Sequence, residues 1–254
     1  QEQKSVVNVA GRVRLIRAHG GLTFVQLQDE SGMIQLALKR DHVGEETYTN
    51  FSETVDIGDL IQVSGTVFLT KKGEQTIEID AYVMAAKSLL PLPEKWHGLT
   101  DVETRYRERE VDLIVNPEVK ERFIKRSKLI SSLRAFLDAR DFIEVETPIL
   151  QPIPGGANAR PFITHHNALD RDLFLRIAPE LYLKRLVVGG FEKVYENGRC
   201  FRNEGIDFSH NPEFTMLELY WAYVSDRESF TQFLEELLRN IIQITMGSLT
   251  VPYA

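Results

Sequence analysis

The densest run of side chains able to do chemistry is Phe201-Arg202-Asn203-Glu204-Gly205-Ile206-Asp207-Phe208-Ser209-His210-Asn211-Pro212-Glu213-Phe214. On a strand, successive side chains alternate between faces, so Arg202 and Glu204 share one face and Asn203 takes the other. A guanidinium and a carboxylate so placed suit the phosphate and a hydrogen-bond donor of one ligand. His210 and Phe214 lie four apart, and a return strand beginning near Glu213 would turn Phe214 toward the same site while His210 stays in the loop. A salt-bridged hairpin on the protein surface accounts for the same spacing, and spacing alone favours that blander account. Other chemistry is sparsely written. No Gly-rich phosphate loop of either usual kind is present. The single cysteine, Cys200, offers neither a disulfide partner nor zinc-ligand spacing, and reads as a core thiol.

Two blocks of elements must position these residues. From Val6 to Met84 the chain is written in short, β-branched runs broken by Gly, Asp and Asn, which predicts a small all-β unit. Strands are expected at 6–16, 23–28, 34–38, 60–69 and 75–84, with a helical insertion over 44–52, the order of a five-stranded Greek-key barrel of the OB type. Two prolines and a glycine in Leu89-Leu90-Pro91-Leu92-Pro93-Glu94-Lys95-Trp96-His97-Gly98 mark a linker. The domains are therefore set at 1–87, 88–100 and 101–254.

Beyond the linker, Asn116 as N-cap and Pro117 at the first helical position open a helix ending near Arg140, with Val119, Phe123, Ile130, Leu133 and Leu137 mostly on one face. Strands follow at 142–145, 162–164, 173–176, 193–202 and 213–222, with a helix over 179–188. Ser225 and Glu228 make a capping box for a last helix whose apolar stripe, Phe230, Phe233, Leu234, Leu237, Leu238, Ile241 and Ile242, is core packing. The fold class is α+β: closely spaced later strands do not make a Rossmann alternation.

Composition bounds the partners. The 254 residues are 43% hydrophobic, enough for a substantial core, and carry a formal net charge of −7. That charge argues weakly against nucleic acid, but local clusters at Arg12, Arg14 and Arg17 and from Lys120 to Lys128 can bind phosphates on an acidic protein. No apolar run approaches the roughly 20 residues that span a bilayer, and Gln1-Glu2-Gln3-Lys4 is no secretory signal, so the expectation is a soluble, cytoplasmic protein. The first residue is not Met, and Leu249 to Ala254 reads as a strand cut midway, which suggests truncation at both ends.

The Arg-x-Glu, loop, basic residue and Phe of 202–214 resemble motif 2 of class II aminoacyl-tRNA synthetases. Ile153-Pro154-Gly155-Gly156-Ala157, Pro161-Phe162-Ile163-Thr164, Arg176-Ile177-Ala178-Pro179-Glu180-Leu181-Tyr182 and His210-Asn211-Pro212-Glu213-Phe214-Thr215 resemble the lysyl enzymes in particular. Motif 1, a long helix and a strand closing on proline, matches 116–148, and the barrel stands in the family's anticodon-binding position. The resemblance covers essentially the whole chain. It implies a barrel followed by part of an antiparallel-sheet catalytic domain that activates L-lysine with ATP and Mg2+ and passes it to tRNA(Lys).

The same resemblance assigns roles. Arg202, the catalytic residue, would contact the α-phosphate, Glu204 would accept from the adenine amino group, Phe214 would stack on adenine, and His210, with Asn211, would complete the ATP site. Gly156, Ala178, Glu180, Glu218 and Tyr220 would bind lysine, Glu180 pairing with its ammonium; in isolation Glu180 reads better as a first-turn carboxylate favoured by the helix dipole, but not inside Ala178-Pro179-Glu180-Leu181-Tyr182. In the barrel, Arg17, Phe24, Gln35 and Glu74 would read the anticodon, although Phe24 also fits barrel core. Dimerisation through motif 1 is implied, with no membrane partner.

Three departures from the family are expected to matter. Motif 3 and most of the magnesium-binding carboxylates are absent, so no metal ligand is placed in this chain and the piece alone should not aminoacylate. Asn197 stands where an apolar residue is usual, and Glu110 stands where an aromatic is common. A rival reading is a non-catalytic, tRNA-binding or regulatory paralogue. The intact Arg202, Glu204, His210, Phe214 and Glu180 argue against it.

Overall fold

The computed structural model describes residues 5–93 and 99–250. The opening tetrapeptide, the linker positions Glu94 to Gly98 and the end of the strand expected after Leu249 lie outside the described residues. The chain divides into two compact units, Gln1–Val119 and Lys120–Ala254.

Five strands build the first unit: β1 (Val6–His19), β2 (Leu22–Gln28), β3 (Met33–Lys39), β4 (Leu60–Leu69) and β5 (Gln75–Ala86). They close into a barrel in the order β1-β2-β3-β5-β4, antiparallel except where β3 runs beside β5. Alternation explains the interior. Thr23, Val25 and Leu27 point inward from β2 and meet Val13, Leu36, Leu38, Ile61, Val63, Ile77 and Ile79, all buried. Between β3 and β4, α1 (Arg40–Val43) and α2 (Glu45–Thr54) drop Tyr48 and Phe51 into the same core. The expected five strands and helical insertion are all present, β1 running three residues further than predicted. Closure bends β4 at Gly65, where the pairing with β5 shifts register. A Cβ there would sit 2.1 Å from the Glu78 carbonyl oxygen.

Two short helices follow the linker, α3 (Val102–Arg107) and α4 (Arg109–Val115), neither of which the sequence pattern announced. Asp112 ties them: fully buried, it accepts from Arg105 Nε (2.8 Å), Arg109 Nη1 (2.5 Å) and Asn116 Nδ2 (2.7 Å). Asn116 therefore spends its side chain on Asp112 and is not a side-chain N-cap. The helix still begins at Pro117, with Val119 N–H donating to the Asn116 carbonyl. Glu110 is exposed, so its departure from the family pattern removes no core contact.

In the second unit, α5 (Pro117–Asp138) and α7 (Arg227–Met246) pack on a sheet of β6 (Ile143–Glu144), β10 (Lys193–Phe201) and β11 (Glu213–Trp221), ordered β11-β10-β6. The strands β7 (Leu150–Gln151), β8 (Ile163–His166) and β9 (Arg171–Leu175) form a second small sheet, and α6 (Glu180–Val188) lies between β9 and β10 in sequence. Leu133, Phe136, Leu137, Phe142, Tyr195, Phe233 and Leu237 make the core, with Leu217, Leu219 and Trp221 packed against it. Tyr195 pins it by donating to Asp138 Oδ1 at 3.0 Å.

Three expectations are corrected. Phe123 is 52% exposed, and Ile124 and Leu129 of the same helix are exposed too, although Val119 one turn earlier is buried. Leu238 is likewise exposed, since it falls just off the buried stripe of α7. The cap of α7 is Asp226, whose carboxylate accepts from Ser229 N–H at 2.7 Å and so takes the orphan donor; Ser225 bonds only to neighbouring side chains.

Gly65→Ala should cost the barrel about 1–3 kcal/mol, the usual range for forcing a methyl group into a packed site. The measurement is the urea midpoint by circular dichroism, expected to fall at unchanged slope; an unaltered midpoint would mean that β5 yields freely.

Candidate active site

The hairpin of β10 and β11 has two chemically different faces. Tyr195, Leu217, Leu219 and Trp221 face the core. Alternation puts Val194, Glu196, Gly198 and Cys200 of β10 on the other face, opposite Tyr220, Glu218, Met216 and Phe214 of β11. Asn197 is paired with Leu217 on the core side, yet it is only partly buried, so its amide keeps access to water.

Strand β10 ends at Phe201, one residue before the expected Arg202, and Glu204 lies beyond the ladder. Pro212 is the cause. It can accept from Arg202 N–H (2.8 Å) but has no N–H to return. The next residues are captured from another side: Asn203 N–H donates to the Arg160 carbonyl at 2.7 Å, and Arg160 N–H donates to Glu204 Oε1 at 3.2 Å. Glu204 is thus held by backbone next to the hairpin mouth. Arg202 lies over the Phe214 ring, 5.1 Å from its centroid, and its Nε is buried without a hydrogen-bond partner. A buried donor of this kind costs free energy until something accepts from it.

His210 and Asn211 are exposed in the loop between the strands. Asp207 organises that loop by accepting from the N–H groups of Ser209 and His210, both at 2.8 Å, and from the His210 ring. These bonds, the Ser209 N–H first, hold the Asp207 carboxyl down at about 2. Asp207 is a residue that sequence reasoning missed, although Asp-x-Ser-His is the spacing of an Asx turn.

At the other end of the same face, Tyr220 donates to Glu218 Oε1 at 2.8 Å. Burial raises the Glu218 carboxyl above its ordinary value, and the neighbouring Glu180 carboxylate adds to this against the pull of the Tyr220 hydroxyl. Tyr220 is pushed upward by burial and by Glu218. Glu180 opens α6, and Gly156 lies against it: at φ +86°, a Cβ there would come within 2.8 Å of Glu180 Cβ and 3.1 Å of Ala178 Cβ. Backbone passes here where no side chain can. Lys184, also missed from sequence, reaches Glu180 Oε1 at 2.5 Å.

One buried ion pair connects these parts. Arg176, 2% exposed, pairs with Glu196, donates from Nε to the Arg199 carbonyl at 2.7 Å and from Nη1 to Thr147 Oγ1 at 3.1 Å, while Thr147 donates to Glu196 Oε2 at 2.6 Å. Gly198 is required beside it, for a Cβ would meet Arg176 Nη2 at 2.2 Å. Cys200 is buried next to these charges and its thiol is raised by burial, which fits an inert core residue. Among the described residues no group of three or more His, Cys, Asp or Glu side chains is placed to hold a metal ion.

On the barrel, Arg17 and Phe24 are direct cross-strand partners, and Phe24 lies between the buried Thr23 and Val25, hence on the outer face. Gln26 and Gln35 continue that face, Gln35 Nε2 donating at 3.0 Å to Oγ1 of Thr76, which is itself fully buried. Glu74 is exposed in the turn before β5, its N–H donating to Thr70 Oγ1. Phe68, opposite Thr76, adds a second outward aromatic. The inward alternation of Ile61, Val63 and Val67 was the signal that could have found it.

Sequence comparison agrees with this architecture. Residues 101–251 match the family profile described as tRNA synthetases class II (D, K and N), and residues 7–85 match an OB-fold nucleic acid binding domain of the tRNA anti-codon type. The chain belongs to the class II tRNA synthetases. Among curated relatives it is similar to the lysine–tRNA ligases of Carboxydothermus hydrogenoformans, at 58% identity over 97% of this chain and 50% of the relative, and of Magnetococcus marinus, at 56% over 97% and 49%. The corresponding ligase of Syntrophomonas wolfei is 57% identical over the same shares, 97% and 50%. The chain spans about half the length of these relatives.

Two outcomes follow. Arg176→Met should destabilise the second unit by about 3–5 kcal/mol, because Glu196 is left charged and buried without its partner; equilibrium unfolding reads this, and a loss below about 1 kcal/mol would show that water relieves the site. The loop order supplied by Asp207 is complete above the ordinary carboxyl value of 3.8 and is lost as pH falls through about 2. The amide signals of Ser209 and His210 should accordingly titrate near pH 2 by NMR; a midpoint near 4 would deny the turn.

Proposed function

We propose that this chain carries the anticodon-binding domain (1–87), linker (88–100) and the ATP- and lysine-binding part of the catalytic domain (101–254) of a cytoplasmic lysine–tRNA ligase. The observation that carries the reading is the two-ended face of the hairpin. Phe214 and Glu218 lie four residues apart on one strand, about 13 Å at the usual rise, with an aromatic and an arginine at one end and two carboxylates and a tyrosine hydroxyl at the other. A ligand with a flat base at one end, a phosphate between and an ammonium at the far end fits that order, and lysyl-adenylate is such a molecule.

Each side chain has a task. The unpartnered Arg202 Nε and its guanidinium meet the α-phosphate, where negative charge builds as the lysine carboxylate attacks in line and pyrophosphate leaves. Phe214 stacks the adenine, and Glu204, fixed by Arg160 N–H, accepts from its amino group. His210 and Asn211 reach the terminal phosphates from the loop. Glu180 pairs with the lysine ammonium, supported by Glu218 and Tyr220, while Gly156 and Ala178 admit the amino-acid backbone. Catalysis is positioning and charge stabilisation, with no nucleophilic side chain. Mg2+ would neutralise the phosphates, and the described residues gather no carboxylate cluster for it.

Arg17, Phe24, Gln35 and Glu74 read the anticodon of tRNA(Lys), Phe24 stacking a splayed base. The exposed Phe123, Ile124 and Leu129 on α5 are the apolar surface through which a homodimer forms.

The test is amino-acid-dependent ATP–pyrophosphate exchange by the intact gene product, wild type and Arg202→Ala, across all standard amino acids. Exchange with lysine alone, reduced at least about 100-fold in the variant as for loss of an electrostatic catalytic donor, is expected. No exchange with any amino acid, while tRNA still binds, would make the protein a non-catalytic tRNA-binding paralogue.

A further inference from the structure

The Glu180 carboxylate already holds an ammonium group. Lys184 Nζ lies 2.5 Å from Glu180 Oε1, one helical turn on, with the Glu N-terminal to the Lys, the favourable orientation along a helix. On an open surface such a pair decides little. This one is placed differently. The Glu180 side chain is 29% exposed and walled by Gly156 and Ala178, whereas Lys184 is 54% exposed and free to swing out. The second carboxylate, Glu218, is half-buried and near enough to feel both partners: Glu180 makes it harder to ionise and Lys184 makes it easier. Lys184 is thus the cation that balances two neighbouring carboxylates.

We propose that Lys184 is a resident competitor and positioning residue for the lysine subsite: its ammonium occupies Glu180 until the substrate ammonium displaces it. The inference rests on the lysine-site reading above. The two contenders are chemically the same group on the same four-carbon stem, so displacement exchanges one Glu180 ion pair for another and leaves no carboxylate unbalanced. An amino acid of similar length without a cation cannot make that exchange. Entering, it must either leave Lys184 in place or strand a partly buried carboxylate, which is costly. Lys184 therefore lowers the apparent affinity for lysine, since only the fraction of molecules with Glu180 free can bind.

The experiment is calorimetric titration of L-lysine into the intact gene product in four forms: wild type, Lys184→Met, Lys184→Arg and Glu180→Gln. Methionine keeps the stem and removes the charge, and its fold is checked by thermal unfolding. If Lys184 holds Glu180 about four fifths of the time, Lys184→Met lowers the Kd about fivefold, while Lys184→Arg stays near wild type. Unchanged or weaker binding by Lys184→Met, with lysine binding lost in Glu180→Gln, overturns the competitor role alone. Undiminished lysine binding by Glu180→Gln overturns the lysine-site reading itself, and the inference with it.

Discussion

The buried pair of Arg176 and Glu196 is the constraint on which the catalytic half is built. A guanidinium removed from water must be paired and hydrogen-bonded on most of its donors or it will not stay. Arg176 meets that demand with partners from two separate stretches: Thr147 after β6, and Glu196 with the Arg199 carbonyl in β10. Its own backbone bonds Ile149 through N–H and Phe201 through the carbonyl. Satisfying one charge therefore fixes where the segment 147–149, the end of β10 and the start of α6 meet. Ala178 and Glu180 follow Arg176 by two and four residues, and Arg202 follows Phe201 by one. The positions of Glu180 and Arg202, the proposed cation and phosphate contacts, are set by the same bolt.

That bolt works because the sheet above it has two unlike faces. The core side is aromatic and aliphatic, with Phe142, Phe136 and Trp221 grouped around Phe233 at centroid separations of 5.3 to 5.6 Å. The other side is mixed: Val194, Cys200, Met216 and Phe214 share it with Glu196, Glu218 and Tyr220, whose polar groups are hydrogen-bonded. A period-two strand makes such a division available, but only if no residue slips register. Gly198 guards the register at its tightest point, since any larger residue would collide with Arg176.

Much of this was legible in the sequence, for physical reasons. The barrel strands and the hairpin are long β-branched or alternating runs, and their pairing follows from alternation and turn chemistry. What escaped notice was contingent on tertiary partners. The capture of Asn203 and Glu204 by Arg160, some forty residues away, turns a predicted strand into a backbone-held loop. Asp112 recruits Asn116 away from capping duty, which the local pattern Asn-Pro could not reveal. Phe123 fits the stripe of α5 by spacing yet lies in water, because periodicity states which side chains share a face and not what covers that face. Lys184 and Asp207 were hidden as ordinary surface charges; only their distances to Glu180 and His210 give them meaning.

Local charge bears on whether an acidic protein can serve both a polyanion and a cation, as the proposed function requires. The net charge of −7 says little about any one place, since over a Debye length of about 10 Å the local groups decide the potential. Along the hairpin face Arg202, the proposed phosphate contact, stands at one end, and Glu180 and Glu218 lie toward the other. A molecule that is anionic at one end and cationic at the other enters such a field in a single orientation. The acidic end would by itself draw in any small cation, including ones too short to reach the reacting centre. Keeping one ammonium of its own at Glu180 weakens that attraction for every cation by the same factor, set by the fraction of molecules in which Glu180 is free. The affinity of the site thus depends on how nearly balanced it is before the substrate arrives.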